Sequence, residues 1–241
     1  MEWCLTQGGF VPNVEVIRGI DPVRRHSVRT EPTQRRSTRR LDTLLDAAAT
    51  IVDELGAERL TTQMVAERAG ASIGTVYRYF PDRVAVLHAL RERCIFRFRD
   101  EVANRLSQPP IRSWWSILET TLDVSVAMYR NEPGYVVVYG GWREISAVDN
   151  EPEFVHCLVA LIEAEFGAVA DSAELRFRIG VGLELGDALI NRAFERSHTG
   201  DERYLHEAKQ HVHDYLNSVI ELTSGVRAEA DESGSRASSA A

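Results

Sequence analysis

A chain of 241 residues, 44% of them hydrophobic, can bury a substantial core and form one large domain or two smaller ones. No apolar run reaches the roughly 18 residues needed to cross a bilayer. Pro12 and Asn13 interrupt the region where a signal peptide needs its apolar segment, so we expect a cytoplasmic protein. The net charge of −8 argues at first against a nucleic-acid partner.

The charge is distributed unevenly along the chain. Residues 1–40 carry eight arginines against four acidic residues, which makes this part +4 and leaves −12 for the rest. This asymmetry indicates a basic arm attached to an acidic body. Residues 1–36 lack sustained periodicity and are predicted to form a disordered arm, and residues 225–241 a disordered tail.

Between these ends, apolar residues recur at helical spacing almost throughout, which predicts an all-α protein of about nine helices. Gly56 ends the first helix, and Thr61 and Ser72 are predicted N-caps of the second and third. The predicted helices cover residues 38–55, 62–69, 73–80, 83–106, 112–130, 133–147, 152–168, 172–198 and 201–223. The run from Tyr135 to Tyr139 also suits a strand, but a lone strand has no partner, so we predict a buried helix.

The segment from Thr62 to Phe80 has the spacing of a helix-turn-helix. Ala66 lets the two helices approach, Gly70 takes the positive φ of a tight turn, and Val76 packs the second helix onto the first. Val76 and Phe80 belong to the core under any interpretation.

The same segment and its flanks resemble the TetR (tetracycline repressor) family of bacterial transcription regulators. The matching residues are Ile51, Gly56, Leu60-Thr61-Thr62, Val65-Ala66, Ala69-Gly70-Ala71-Ser72, Gly74-Thr75-Val76-Tyr77, Tyr79-Phe80, Asp82-Arg83 and Leu87. The resemblance is detailed over residues 38–90 and extends beyond them only in helix number and length. It implies a helix-turn-helix DNA-binding domain over 37–82 and an effector-binding and dimerisation domain over 83–224.

The resemblance also implies which residues contact operator DNA, with the third predicted helix in the major groove. The implied base-facing positions are Ser72, Ile73, Gly74 and Thr75, with Gln63 reaching a base or a phosphate. The implied phosphate contacts are Thr61, Thr62, Tyr77, Tyr79 and Arg83, the last standing where the family commonly has a lysine. Tyr77 and Tyr79 are alternatively packing aromatics of a plain three-helix unit.

Two features of the sequence leave open how the protein recognises DNA. Ile73-Gly74 offers no hydrogen-bonding side chain, so specificity is expected to rest on Ser72, Thr75, Gln63 and a thymine methyl against Ile73. The arm arginines at 35, 36, 39 and 40 either follow phosphates and the minor groove or are simply solvated.

The helix predicted at 112–130 is apolar on nearly all sides, so it lies inside the body. The resemblance places a pocket for a small, largely apolar or aromatic effector among the middle helices. The predicted lining residues are Trp115, Leu118, Leu122, Tyr139, Trp142 and Phe154. The alternative is that each of these aromatic residues merely fills core.

The resemblance further implies a homodimer formed by the last two helices, about 172–198 and 201–223, on a near-palindromic site. Gly182 and Gly186 are expected to allow close approach in that dimer interface. They are no dinucleotide-binding motif, because Leu185 occupies the third glycine position and no strand precedes them.

Other functional classes have little support. No nucleophile with a base, paired carboxylates or phosphate loop is evident, so we predict no enzyme and no cofactor. Four late histidines (198, 206, 211 and 213) lack a Cys or carboxylate to complete a metal site, so we expect a solvated or interface face. Cys4, Cys94 and Cys157 are expected to be reduced thiols.

The sequence thus predicts a sequence-specific transcription regulator acting on the nucleoid, a repressor released from its operator by the effector. The alternative is an activator or a ligand-independent DNA binder of the same fold.

Overall fold

The computed structural model describes residues 14–18, 31–108, 111–136, 151–167, 171–218 and 220. Its helices are α1 (Glu15–Arg18), α2 (Glu31–Leu55), α3 (Thr62–Arg68), α4 (Ile73–Tyr79), α5 (Arg83–Leu106), α6 (Trp114–Asn131), α7 (Glu151–Phe166), α8 (Ser172–Arg196) and α9 (202–218), with a 3-10 turn at Ala57–Arg59. These ranges contain no strand, which confirms the all-α class and a helix count close to nine. No helix in them is both long enough and apolar enough to span a membrane.

The prediction of a disordered arm over 1–36 is wrong for residues 15–18 and 31–36, which are helical. Helix α2 begins at Glu31, seven residues before the predicted start. Val14 and Ile17 are buried where α1 packs against α5 and α7. Two apolar residues give no periodic signal in the sequence. Among the described residues, the surface that covers them comes from helices far away in the chain. The rest of the arm, residues 137–147 and the tail lie outside the described residues.

Helices α2, α3 and α4 form a unit that we call the head, and α5 to α9 form the body. Helix α5 runs from the head into the body, and Arg93 fixes it to α2. Only 3% of Arg93 is exposed, and its guanidinium contacts the Asp46 carboxylate at 2.7 Å and the Leu45 carbonyl oxygen at 3.2 Å. A buried guanidinium needs such partners, because leaving it unpaired costs several kcal/mol, on the order of 3–5.

A second contact joins the head to the loop after α6. The backbone N–H of Gly134 donates to the Asp53 carboxylate at 2.9 Å. Burial raises the pKa of Asp53, although this hydrogen bond favours its charged form. Gly134 has φ 79°, and a Cβ there would lie 3.0 Å from the Ala49 Cα, so the loop approaches α2 as only glycine allows.

Helix α6 lies inside the body as predicted, with buried residues on several sides, including Ile117, Leu118, Leu122 and Val124. Ser113 caps its start, and Ser116 completes a capping box.

The glycines of α8 serve a different contact from the one predicted. A Cβ at Gly182 would lie 3.2 Å from the Leu216 Cδ1, and one at Gly186 would lie 2.7 Å from the Leu122 Cδ2 and 3.2 Å from the Val212 Cγ2. Both glycines are buried by α6 and α9 of their own chain, so the expectation that they permit close approach between two subunits is wrong. They let α8 approach α6 and α9 closely.

Candidate nucleic-acid interface

The turn between α3 and α4 is built by local hydrogen bonds and one glycine. The Thr61 Oγ1 accepts a bond from the Met64 N–H at 3.1 Å, and the Ser72 Oγ accepts one from the Thr75 N–H at 3.2 Å, so both predicted N-caps are confirmed. Gly70 adopts φ 57°, the left-handed conformation predicted for the turn.

The inner face of α3 and α4 is fully packed. Val65 and Val76 are completely buried, and Ala66 and Phe80 are nearly so, which confirms the predicted core of the helix-turn-helix. Leu60, just before the Thr61 cap, is also fully buried, as expected of the apolar residue that precedes a helix and packs against its first turn. With one face committed to the core, α4 can present only its opposite face to a partner.

Tyr77 dominates that opposite face. Its exposed fraction is 54%, so it is not a packing aromatic of the head. Tyr79 is half-buried instead, and its hydroxyl lies 3.1 Å from the Ser37 Oγ of α2, a contact that orients the phenol. The structure therefore separates two tyrosines that the sequence left equivalent.

Several predicted DNA-contacting side chains already have partners within the head. The Ser72 and Thr75 hydroxyls lie 2.9 Å apart, and the Gln63 Nε2 donates to the Glu67 carboxylate at 2.8 Å. Ile73 is half-buried. Gly74 is exposed, and an added Cβ there would have no neighbour nearer than the Ser72 Oγ at 4.0 Å.

The basic side chains of the head and of the first turn of α5 fall into two groups. Arg68 pairs with the Glu54 carboxylate at 2.6 Å, and Arg83 donates to the Glu58 carbonyl oxygen at 2.9 Å. By contrast, four arginines form no ion pair with any carboxylate of the described residues: Arg39, Arg40, Arg59 and Arg78. These cations remain available to an anionic partner.

Arg78 is the residue of this face that sequence reasoning missed. It is exposed on α4, and its guanidinium carbon lies 5.2 Å from the centroid of the Tyr79 ring. The available signal was that Arg78 is the sole charged residue between Ile73 and Tyr79.

The predicted pocket residues that the structure describes lie in three surroundings. Leu118 and Leu122 are fully buried on α6. Trp115 is half-buried, with its ring centroid 5.0 Å from that of His213 on α9. Phe154 is buried on α7, with its ring 5.5 Å from that of Phe98. Tyr139 and Trp142 lie outside the described residues, so a pocket shared by all six stays a prediction.

The described histidines and cysteines are the remaining side chains that could bind a metal ion or react. The His213 ring stacks on Trp114 and meets the edge of Trp115. Within the described ranges no group of three or more His, Cys, Asp or Glu side chains is placed to hold a metal ion. Cys94 and Cys157 are buried and form no disulfide within the described residues, and burial raises the pKa of the Cys94 thiol to about 12.

Two family models match this chain. Residues 44–90, from α2 into α5, match a model described as bacterial regulatory proteins of the tetR family. Residues 112–220 match a tetracyclin repressor-like C-terminal domain. Together they span the helix-turn-helix and the helices of the body.

Among solved structures, a TetR-family transcriptional regulator from Streptomyces coelicolor is 32% identical, with a TM-score of 0.64, over 76% of this chain and 98% of that one. The fatty acid degradation regulator FadR from Bacillus halodurans shares the fold at 18% identity and a TM-score of 0.57, over 76% of this chain and 96% of that one.

Among curated relatives, the HTH-type transcriptional regulator BetI of Escherichia coli is 34% identical over 80 residues, which are 33% of this chain and 41% of the relative. The chain thus spans well under two thirds of the length of the curated relatives it matches, between 34% and 50% for the first three.

Proposed function

Because this chain belongs to the TetR family of DNA-binding transcription regulators, we propose that it is a repressor that a small effector releases from its operator. The repressor is a homodimer on a near-palindromic site in the cytoplasm, on the nucleoid. The effector is largely apolar or aromatic and binds in the body.

The observation that carries the proposal is the outer face of α4. Its helix is capped by Ser72, fixed from behind by Val76, and presents Tyr77 with 54% of its surface exposed. An exposed tyrosine on a short, firmly packed helix suits a contact to the DNA backbone, while the N-terminal turn of the helix meets the base edges.

The proposed contacts are those that the family resemblance implies, and the exposed face of α4 supports them. Bases meet the first turn of α4, which presents Ser72, Ile73, Gly74 and Thr75. Phosphates meet the hydroxyls of Thr61, Thr62, Tyr77 and Tyr79 and the Arg83 guanidinium. Gln63 joins one of these sets after leaving Glu67, to which it is now bonded. The unpaired Arg39 and Arg40 add ionic contacts that weaken as salt rises.

The dimer interface that we propose is a stripe on α8 that faces away from α6 and α9. Phe177 and Leu185 are exposed by 62% and 39%, and Val181 and Ala188 share their side of the helix. Exposed apolar residues in such a row favour a protein partner. In the proposed dimer, α9 lies beside the two-fold axis, and the two α4 helices read half-sites one turn of DNA apart, about 34 Å.

The proposed effector site lies around α6. We propose that Leu118 and Leu122 supply its apolar surface, that Trp115 and Phe154 supply aromatic surface, and that Tyr139 and Trp142 are the remaining members. Because α5 links the body to the head, a ligand that repacks the body can move α4. The coupling is reciprocal, so operator DNA weakens effector binding by the same factor.

The experiment is fluorescence anisotropy with DNA from directly upstream of the gene and with a scrambled duplex, over a series of salt concentrations. We expect tight, salt-dependent binding to the first duplex alone. Tyr77→Ala should abolish this binding. Tyr77→Phe keeps the ring and removes the hydroxyl, so it distinguishes the contribution of the hydroxyl to binding from that of the ring. Equal, weak binding of wild type to both duplexes would contradict a specific repressor of that site.

Effector release is tested with the same complex. A library of small apolar and aromatic compounds is screened for those that raise the melting temperature and then for those that lower the anisotropy. Phe154→Ala should reduce the response to such a compound without weakening operator binding. A compound that tightens operator binding instead would contradict effector release, and a body that binds none of the compounds would favour the alternative, a ligand-independent DNA binder of the same fold.

A further inference from the structure

Helix α4 carries one charged residue, Arg78, and its guanidinium forms no ion pair within the described residues. Its side chain is exposed, and no carboxylate of the described residues pairs with it. Its guanidinium lies over the face of the Tyr79 ring, with the guanidinium carbon 5.2 Å from the ring centroid. A cation on an exposed aromatic ring is held weakly and can leave for a stronger partner.

Gly74 lies four residues before Arg78 and therefore on the same side of α4. No atom approaches a Cβ placed at Gly74 more closely than the Ser72 Oγ at 4.0 Å, so this surface of the helix is bare. Side chains on a helix lean toward its N-terminus and cover the preceding turn. The path of Arg78 toward the first turn of α4 consequently crosses Gly74 without obstruction.

The neighbouring polar groups are partly occupied, in contrast to Arg78. The Ser72 and Thr75 hydroxyls bond to each other, and Gln63 bonds to Glu67. Short hydroxyls also discriminate poorly between bases, whereas the planar fork of arginine matches the O6 and N7 acceptors of guanine in the major groove.

We propose that Arg78 is a specificity-determining residue of the operator complex and that it reads a guanine by reaching across the bare surface of Gly74. This inference rests on the proposed operator binding. It assigns base recognition to the end of α4 in addition to the first turn. It also implies that each half of the operator contains a guanine under α4.

The test begins by selecting the preferred sequence of the wild-type protein from a pool of random duplexes. Anisotropy then gives the affinity of wild type and variants for that sequence, for duplexes with each guanine replaced, and for duplexes carrying 7-deazaguanine, which lacks N7. The variants are Arg78→Ala, Arg78→Lys and Gly74→Leu. Arg59→Ala is the matched control, because Arg59 is another exposed, unpaired arginine of the head.

For one guanine, replacement or N7 removal should weaken wild-type binding by about 5- to 150-fold, the range of a bidentate contact. Arg78→Ala should bind the original and replaced duplexes equally, and Arg78→Lys should lose most of the preference while it keeps the charge. Gly74→Leu should lose the guanine preference as Arg78→Ala does. The double variant should bind little more weakly than either single variant, because both changes remove the same contact. Arg59→Ala should weaken all duplexes alike.

The inference is overturned if Arg78→Ala keeps the guanine preference of wild type. It is also overturned if Arg78→Lys equals wild type and Arg78→Ala weakens every duplex alike, because Arg78 would then contact phosphate. A wild type that selects no sequence overturns the proposed function itself, and this inference with it. Circular dichroism melting of each variant distinguishes these results from a loss of fold.

Discussion

The Arg99 Nε donates a 2.6 Å hydrogen bond to the carbonyl oxygen of Ile17, 82 residues earlier in the chain. Arg99 is 6% exposed on α5, and Ile17 is 1% exposed on α1. Next to them, the Arg18 guanidinium lies 2.9 Å from the Asp100 carboxylate. Helix α1 precedes both matched regions, 44–90 and 112–220, so it is an addition to them that covers a surface of α5 and α7.

We therefore expect Ile17→Asp to detach α1 from the body. The free energy of unfolding should fall by about 1.5–3 kcal/mol, which is what burying one such side chain contributes. The measurements are the urea midpoint and the rate of trypsin cleavage after Arg18, which should rise. Ile17→Val, the control, should cost about 0.5–1.5 kcal/mol. Unchanged cleavage and an unchanged midpoint in Ile17→Asp would show that α1 contributes nothing to stability.

Two glycines of α8 should respond to alanine in opposite ways. Gly180→Ala meets no atom within 4 Å and should stabilise the protein by about 0.5–1 kcal/mol through helix propensity. Gly186→Ala brings a methyl group within 2.7 Å of the Leu122 Cδ2, so overpacking should outweigh that gain and leave a net loss of about 1–2 kcal/mol. Urea unfolding at one protein concentration measures both, and equal stability changes would contradict the packing that we describe.

Cys94 makes stability depend on alkaline pH. Burial, followed by the charge of Glu132, raises the pKa of the Cys94 thiol to about 12 from its usual value near 9.0. Because the pKa of this thiol is higher in the folded than in the unfolded state, its contribution to stability is fully present below pH 9. That contribution is lost as pH rises toward 12. The free energy of unfolding of wild type relative to Cys94→Ala should therefore fall by about 1–1.5 kcal/mol between pH 8 and pH 10. Parallel pH profiles for the two proteins would contradict this.

The exposed stripe of α8 should control the oligomeric state. In Phe177→Asp combined with Leu185→Asp, two charges replace apolar surface, and burying them in an interface is costly. Sedimentation velocity should show monomers, and operator affinity should fall at least about tenfold because one head binds alone. Phe166→Asp changes a residue on α7 whose exposure, 44%, lies between those of Phe177 and Leu185, and it should leave the dimer intact. A dimer in both variants would place the interface elsewhere.

The sequence by itself determined the features that local physical chemistry controls. The N-caps at Thr61 and Ser72 follow from side-chain oxygens that satisfy the first free N–H groups of a helix. The turn at Gly70 needs a residue without a Cβ, and the burial of Val76 follows from helical periodicity. Each of these depends on neighbours a few residues away, so each could be predicted from the order of residues.

Only the tertiary structure decided which distant surfaces meet. Ile17 is buried because α5 and α7 cover it, and Gly186 faces Leu122 of its own chain rather than a second subunit. Tyr77 and Tyr79 differ because Ser37, 42 residues before Tyr79, contacts only one of them. Sequence spacing fixes which side of a helix a residue occupies, but the choice of what covers that side depends on packing between elements far apart in the chain.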